Sequence, residues 1–216
     1  MYKRELLTVS LFAAVTFLLV AGAGWFAVDR LHQTSKMLVI DTLPGLVDAG
    51  LAEERLHENR HVMHEMLAPH SAAERAQMIR LVTTNSVEDL WLNYAGSIYA
   101  PEDRENYQAM LLVRSNYLQT LPPFFDLVTA GKLAEAATLF YGDQSRSFQS
   151  YDAAAKKIFD YNVQQGFHRG KSILNSLQYA PWLIGGLCVL VFLLGLALGL
   201  RSGLGGGLPS IRRPPE

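Results

Sequence analysis

The chain has 216 residues, 19 Lys and Arg against 20 Asp and Glu, one cysteine, and half of its residues apolar. A balanced charge excludes a protein that works through a broad basic surface, so no nucleic-acid partner is expected. A single cysteine excludes a domain framed by disulfides.

The apolar residues are unevenly spread. Leu6–Val28 and Pro181–Leu200 hold no charged residue. Each run meets the roughly 20 residues a helix needs to cross a bilayer. Within lipid a helix satisfies its own backbone, which an open chain does not. The reading is therefore a short start (1–5), a first transmembrane helix (6–28), a central domain (29–180), a second transmembrane helix (181–200) and a tail (201–216).

Lys3 and Arg4 precede the first run, and Arg201, Arg212 and Arg213 follow the second. Basic flanks mark the cytoplasmic side, so both termini are predicted inside and the central domain outside. Removing those five from the 19 basic residues leaves 14, against 18 of the 20 acidic ones, so the exported part is mildly acidic. Trp25, Tyr179 and Trp182 sit at the outer ends of the runs, the headgroup level that amphipathic rings favour. Ala21-Gly22-Ala23 resembles a signal-peptidase site, but the apolar run continues through Val28. That length favours an uncleaved anchor.

The central domain reads as helix throughout. The first helix continues to Leu67, with a kink expected at Pro44-Gly45. Ala49, Ala52, Leu56, Met63 and Met66 form its stripe, with Asn59 between, at the spacing of a bundle seam. Ala68-Pro69-His70 breaks it. Ser71 and Glu74 then form a capping box for a second helix over 72–98, whose late apolar face is Val87, Leu90, Trp91, Tyr94 and Ile98. Pro101 opens a third helix with Glu102, Asp103 and Glu105 at its positive end. Met110, Val113, Tyr117, Leu121 and Phe124 are its stripe. Pro122-Pro123 must bend or interrupt it, and Gly131 suits a left-handed cap. Lys132–Tyr141 is a short helical step. After Gly142 a fourth helix carries Phe148, Tyr151, Ala155, Ile158 and Asn162 on its seam and can run into the second span. The tail from Ser202 is rich in Gly and Pro and is expected to be disordered. The fold class is all-α: a membrane-anchored antiparallel four-helix bundle with two transmembrane helices.

Several local features match one family. Asp41-Thr42-Leu43-Pro44-Gly45-Leu46 follows the first span, and Arg55 and Arg60 come later on the same helix. Tyr107 to Tyr117 is followed by Thr129-Ala130-Gly131-Lys132-Leu133-Ala134-Glu135-Ala136, and Asn162 lies on the last helix. In order and spacing these resemble the four-helix-bundle ligand-binding domain of bacterial methyl-accepting chemotaxis proteins, over about Met1–Leu200. The resemblance implies an inner-membrane sensor with a periplasmic input domain. It also implies a small-molecule ligand and a dimer, either of this chain or with a chemoreceptor. Such receptors continue into a HAMP linker and a cytoplasmic coiled coil, and Arg201–Glu216 cannot form either. The expectation is an input half without its output half.

Candidate site residues are sparse. Arg55, Arg60 and Arg114 could hold an anionic ligand through paired hydrogen bonds, although bundle arginines commonly lie along the surface with packed stems. Glu54, His57, His61 and His64 share one helix face and offer an alternative reading, a periplasmic metal-binding protein. The plainer reading of that face is a solvated flank. Asn162 in an apolar stripe more often fixes register than touches ligand. Gly195 and Gly199 form a small-xxx-small pattern at which two spans could pack. Asn59 and Asn162 are further expected to gain from a second copy that hides them. No nucleophile–base set, phosphate loop or cofactor motif appears, so neither enzyme activity nor a cofactor is expected. A third reading is a structural partner of a full-length receptor.

Overall fold

In the computed structural model the described residues are 2–204, with the side chains of residues 2–9, 12, 13 and 198–204 left aside. Every regular element among them is helical: α1 (Tyr2–Met37), a π-helical turn (Leu38–Thr42), α2 (Leu43–Glu65), α3 (Ala72–Thr84), α4 (Glu88–Gly96), α5 (Pro101–Gln119), α6 (Leu121–Thr129), α7 (Leu133–Tyr141) and α8 (Asp143–Leu204). The chain divides into two units, Lys36–Gly170 and the pair of segments Met1–Ser35 and Lys171–Glu216.

Two helices among the described residues are long and apolar enough to cross a membrane, and their apolar stretches are not buried inside the protein. Phe17, Leu18, Trp25, Phe26, Trp182, Leu183 and Phe192 are all exposed. So much uncovered apolar surface calls for lipid around it. The expected tail lies partly in α8, which runs on through Leu204. Gly205–Glu216, the rest of that tail, lies outside the described residues.

Lys36–Gly170 is the helical bundle. Its core has two neighbouring parts. One joins Ala49, Ala52 and Leu56 of α2 to Leu90, Trp91 and Tyr94 of α4, Met110 and Tyr117 of α5, and Tyr151, Ala155 and Ile158 of α8. The other joins Met63 and Met66 to Val82, Phe124, Val128, Ala136 and Phe140. All five residues of the predicted α2 stripe are buried, as are Phe148, Tyr151, Ala155, Ile158 and Asn162 on α8.

Three local features follow from chemistry already legible in the chain. Ser71 and Glu74 form both halves of the capping box. Gly131 adopts φ +72, the left-handed conformation that ends α6 cheaply only with glycine. Pro122 and Pro123 fall in the first turn of α6, where a missing N–H costs nothing, so the third helix is interrupted at Thr120.

Two expectations need correction. The second helix is not continuous over 72–98: it breaks at Asn85–Val87. Thr83 and Thr84 turn their hydroxyls back onto backbone carbonyls, which weakens a helix end. Asn59 then donates to the Asn85 carbonyl at 2.8 Å, and Asn85 returns a bond to Asn59 at 3.2 Å. Polar partners on α2 thus reward the break. The first helix departs from α geometry just before Pro44, at the π turn, rather than at Pro44-Gly45 itself. Proline offers no N–H to the carbonyl four residues back. The π turn lets the Leu43 N–H reach the Leu38 carbonyl, one residue further than in an α-helix.

Candidate functional site

The most organised polar structure in the bundle lies where α2 begins and where α8 approaches the second apolar run. The seam of α2 continues backward through Gly45 to Thr42 and Asp41, and these three are buried. The seam of α8 continues forward from Asn162, seven residues on, to Arg169. Two helical turns keep it on the same face. Arg169 Nη1 donates to the Met37 carbonyl at 2.9 Å and to Asp41 Oδ2 at 2.6 Å, and also to the Thr42 hydroxyl. One guanidinium on α8 therefore pins the π turn, pairing a buried carboxylate and covering a backbone carbonyl at once.

Next to this pin, Asn162 Nδ2 donates to the Tyr94 hydroxyl and to the Ile158 carbonyl, both at 3.0 Å. The Tyr94 hydroxyl donates to Asp103. A network of α4, α5 and α8 is thereby closed. Gly45 lies against it: a Cβ there would fall 2.7 Å from Asn162 Oδ1 and 3.3 Å from the Tyr94 ring. Asn162 is thus satisfied within one chain. Asn59 has its own partner in Asn85. The expectation that a second copy hides these two asparagines is corrected: neither needs one.

Burial pushes the Asp103 carboxyl above the ordinary aspartate range, with the Tyr94 hydrogen bond and Arg169 pulling the other way. A raised folded-state value means that Asp103 favours folding most below its unfolded value. That contribution is lost as pH rises through the folded one. Asp103→Asn keeps an oxygen for Tyr94 and removes the buried charge. Thermal melts should show it more stable than wild type at pH 7 by about 1 kcal/mol, with the gain shrinking toward pH 4. Burial also raises Tyr94, and it raises Tyr117 and Tyr151 to about 12 each. All three hydroxyls stay neutral at any ordinary pH, Tyr94 and Tyr117 as donors and Tyr151 as the acceptor of the Trp91 indole N–H.

The three arginines expected to face a ligand are each occupied. Arg55 donates to the Ser86 carbonyl at 2.7 Å and pairs with Asp89 at 3.1 Å. Arg114 pairs with Glu88. These two hold the start of α4 just after the break. Arg60 lies 3.5 Å above the Phe140 ring centroid and donates to the Phe140 carbonyl and to Gln144 Oε1, both at 2.9 Å. It joins α2 to the corner between α7 and α8.

The four residues of the histidine stripe are all exposed and do not act as a set. His61 pairs with Glu65 at 3.3 Å, and His64 lies 2.9 Å from the Tyr141 hydroxyl. His57 turns instead to Asp152 of α8, with Nε2 2.8 Å from Oδ1. Glu54 takes no part. Glu53, one residue earlier on α2, joins His57 and Asp152.

Arg169 and Asp41 are not recognisable as a pair in the chain because 128 residues separate them. The signal was present in register: each sits on the extension of a seam already identified.

A search of curated proteins finds no match to the chain. The family described as a four helix bundle sensory module for signal transduction matches residues 3–175. That span takes in the first apolar helix, the bundle with both polar clusters, and α8 beyond Arg169. The family is a sensory rather than a catalytic one. The chain belongs to this family of four-helix-bundle sensory modules.

Proposed function

We propose that the chain is the input part of a chemoreceptor-like transmembrane sensor, set in a bacterial inner membrane with both termini in the cytoplasm and its bundle in the periplasm. The observation that carries this reading is α8, assigned as helix from Asp143 to Leu204, whose sequence contains both the bundle seam and the apolar run. A small ligand or partner that binds the bundle better in one packing than another shifts the balance by that difference in affinity. The shift would pass along α8 toward the cytoplasm.

The sensor works, in this reading, as a dimer of this chain or with a related receptor. The support is an uncovered apolar line along the π turn and α2. Val39, Leu43, Val47 and Leu51 recur every four residues and are all exposed. That spacing puts them along one face, a face that is costly for a monomer to expose to water. In the spans, Gly195 and Gly199 would let two copies of α8 approach closely.

A crosslinking experiment tests the pairing. In a Cys188→Ala background, Val47→Cys should form a disulfide-linked dimer when native membranes are oxidised. Leu43→Glu added to it should cut the yield severalfold. Absence of crosslinked dimer at Val47, with a monomeric mass in native-membrane particles, would defeat the dimer.

A further inference from the structure

We propose that Glu53, His57 and Asp152 form a binding site for a divalent transition-metal ion, bridging α2 and α8. Glu53 and His57 are one turn apart on α2, so their side chains project side by side. Asp152 meets them from α8. One ligand atom from each, two carboxylate oxygens and an imidazole nitrogen, lie within 4.8 Å of one another. An ion bound at about 2.0–2.2 Å holds its ligands at most about 4.4 Å apart. The gap closes by small rotations of the half-buried Glu53 and Asp152 side chains.

A surface ion pair between His57 and Asp152 is the simpler account of the contact, and two details go beyond it. Asp152 Oδ1 is shut off from solvent yet has no aligned hydrogen bond, although His57 Nε2 is 2.8 Å away. An ion would satisfy that oxygen, which an ill-aligned imidazole does not. The His57 ring is also held edge-on against Phe148, centroids 5.6 Å apart, so its direction is set by packing. The nearby cation that could compete, Lys156, is drawn to Asp160 at 3.0 Å. One imidazole with two carboxylates is a borderline donor set that suits Zn²⁺, Ni²⁺, Co²⁺ or Mn²⁺ and leaves positions open for water.

Its place in the fold gives the site a consequence. It joins α8 to α2, the helix that follows the π turn held by Arg169, so an ion would favour one α2–α8 packing over others. That role rests on the sensor reading; the binding does not.

The test is calorimetric titration of Zn²⁺ into the full chain in detergent micelles, purified without a histidine tag. One ion per chain is expected. His57→Ala and Asp152→Asn should each weaken binding at least tenfold, while His61→Ala and His64→Ala leave it unchanged. Circular dichroism without metal should show each variant as helical as wild type. A wild-type affinity no better than that of the Glu53→Gln/His57→Ala/Asp152→Asn triple variant would overturn the proposal. So would a loss in His61→Ala equal to that in His57→Ala.

Discussion

Arg169→Ala should destabilise the bundle by about 3–5 kcal/mol, the cost of leaving one partner of a buried ion pair alone. Asp41 is 5% exposed, so its carboxylate cannot turn to water when the guanidinium goes. The Met37 carbonyl and the Thr42 hydroxyl lose the same donor. The damage should be local as well as global. Leu38–Thr42 is a π turn whose outer partner is Arg169, so its amides should exchange hydrogen much faster in the variant. Arg169→Lys keeps the charge but offers a point donor in place of a planar fork, and should recover only part of the loss. Pairing Arg169→Met with Asp41→Leu removes both charges and should cost far less than Arg169→Ala alone. Urea unfolding in detergent, followed by the tryptophan signal of the bundle, measures all of these variants. A loss below about 1 kcal/mol for Arg169→Ala would mean that the pin is a surface ion pair.

Gly45→Leu should be comparably severe, and Gly45→Ala already unfavourable by about 1–3 kcal/mol, the usual cost of overpacking a core. The sign of the alanine variant decides between two effects. Helix propensity alone makes alanine better than glycine by about 1 kcal/mol inside a helix. Packing opposes it, because the added carbon meets Asn162 Oδ1 at 2.7 Å and Cγ at 3.2 Å. Asn162 is pinned by Tyr94 and by the Ile158 carbonyl and cannot yield cheaply. Packing is therefore expected to win. A double-mutant cycle with Asn162→Ala isolates the clash: the asparagine's removal should make Gly45→Ala nearly harmless, with a coupling above about 1 kcal/mol. A stabilised Gly45→Ala would show that α2 and α8 have slack at this level.

Periodicity alone makes the helical seams readable in the amino-acid sequence. Leu56, Met63, Tyr151 and Ile158 announce their faces because burial demands apolar side chains at repeats of three and four, and no other element has that period. Capping and turn chemistry are equally plain at Ser71, Glu74, Gly131 and Pro122. The break at Asn85 is less so. Local propensity there is weak but not forbidding, and what tips it is Asn59, twenty-six residues away in sequence. The same limit hides the sites. Arg55, Arg60 and Arg114 stand out in the chain as ligand candidates, but nothing near them names the partners they take on other helices. His57 belongs with Asp152, not with His61, because the contact that matters crosses from α2 to α8. Pair chemistry between distant segments is set by how the rods pack, and a periodic pattern on each rod does not specify it.

The central claim is a bundle held outside the cytoplasm by two membrane-crossing helices, and cysteine accessibility in intact cells tests it most directly. In a Cys188→Ser background, single cysteines would replace Ser150, exposed on the bundle part of α8, or Arg201, just beyond the second apolar run. A membrane-impermeant maleimide should label Ser150→Cys in intact cells, and Arg201→Cys only after the cells are permeabilised. Labelling of Arg201→Cys in intact cells, or protection of Ser150→Cys until permeabilisation, would contradict the two-span topology.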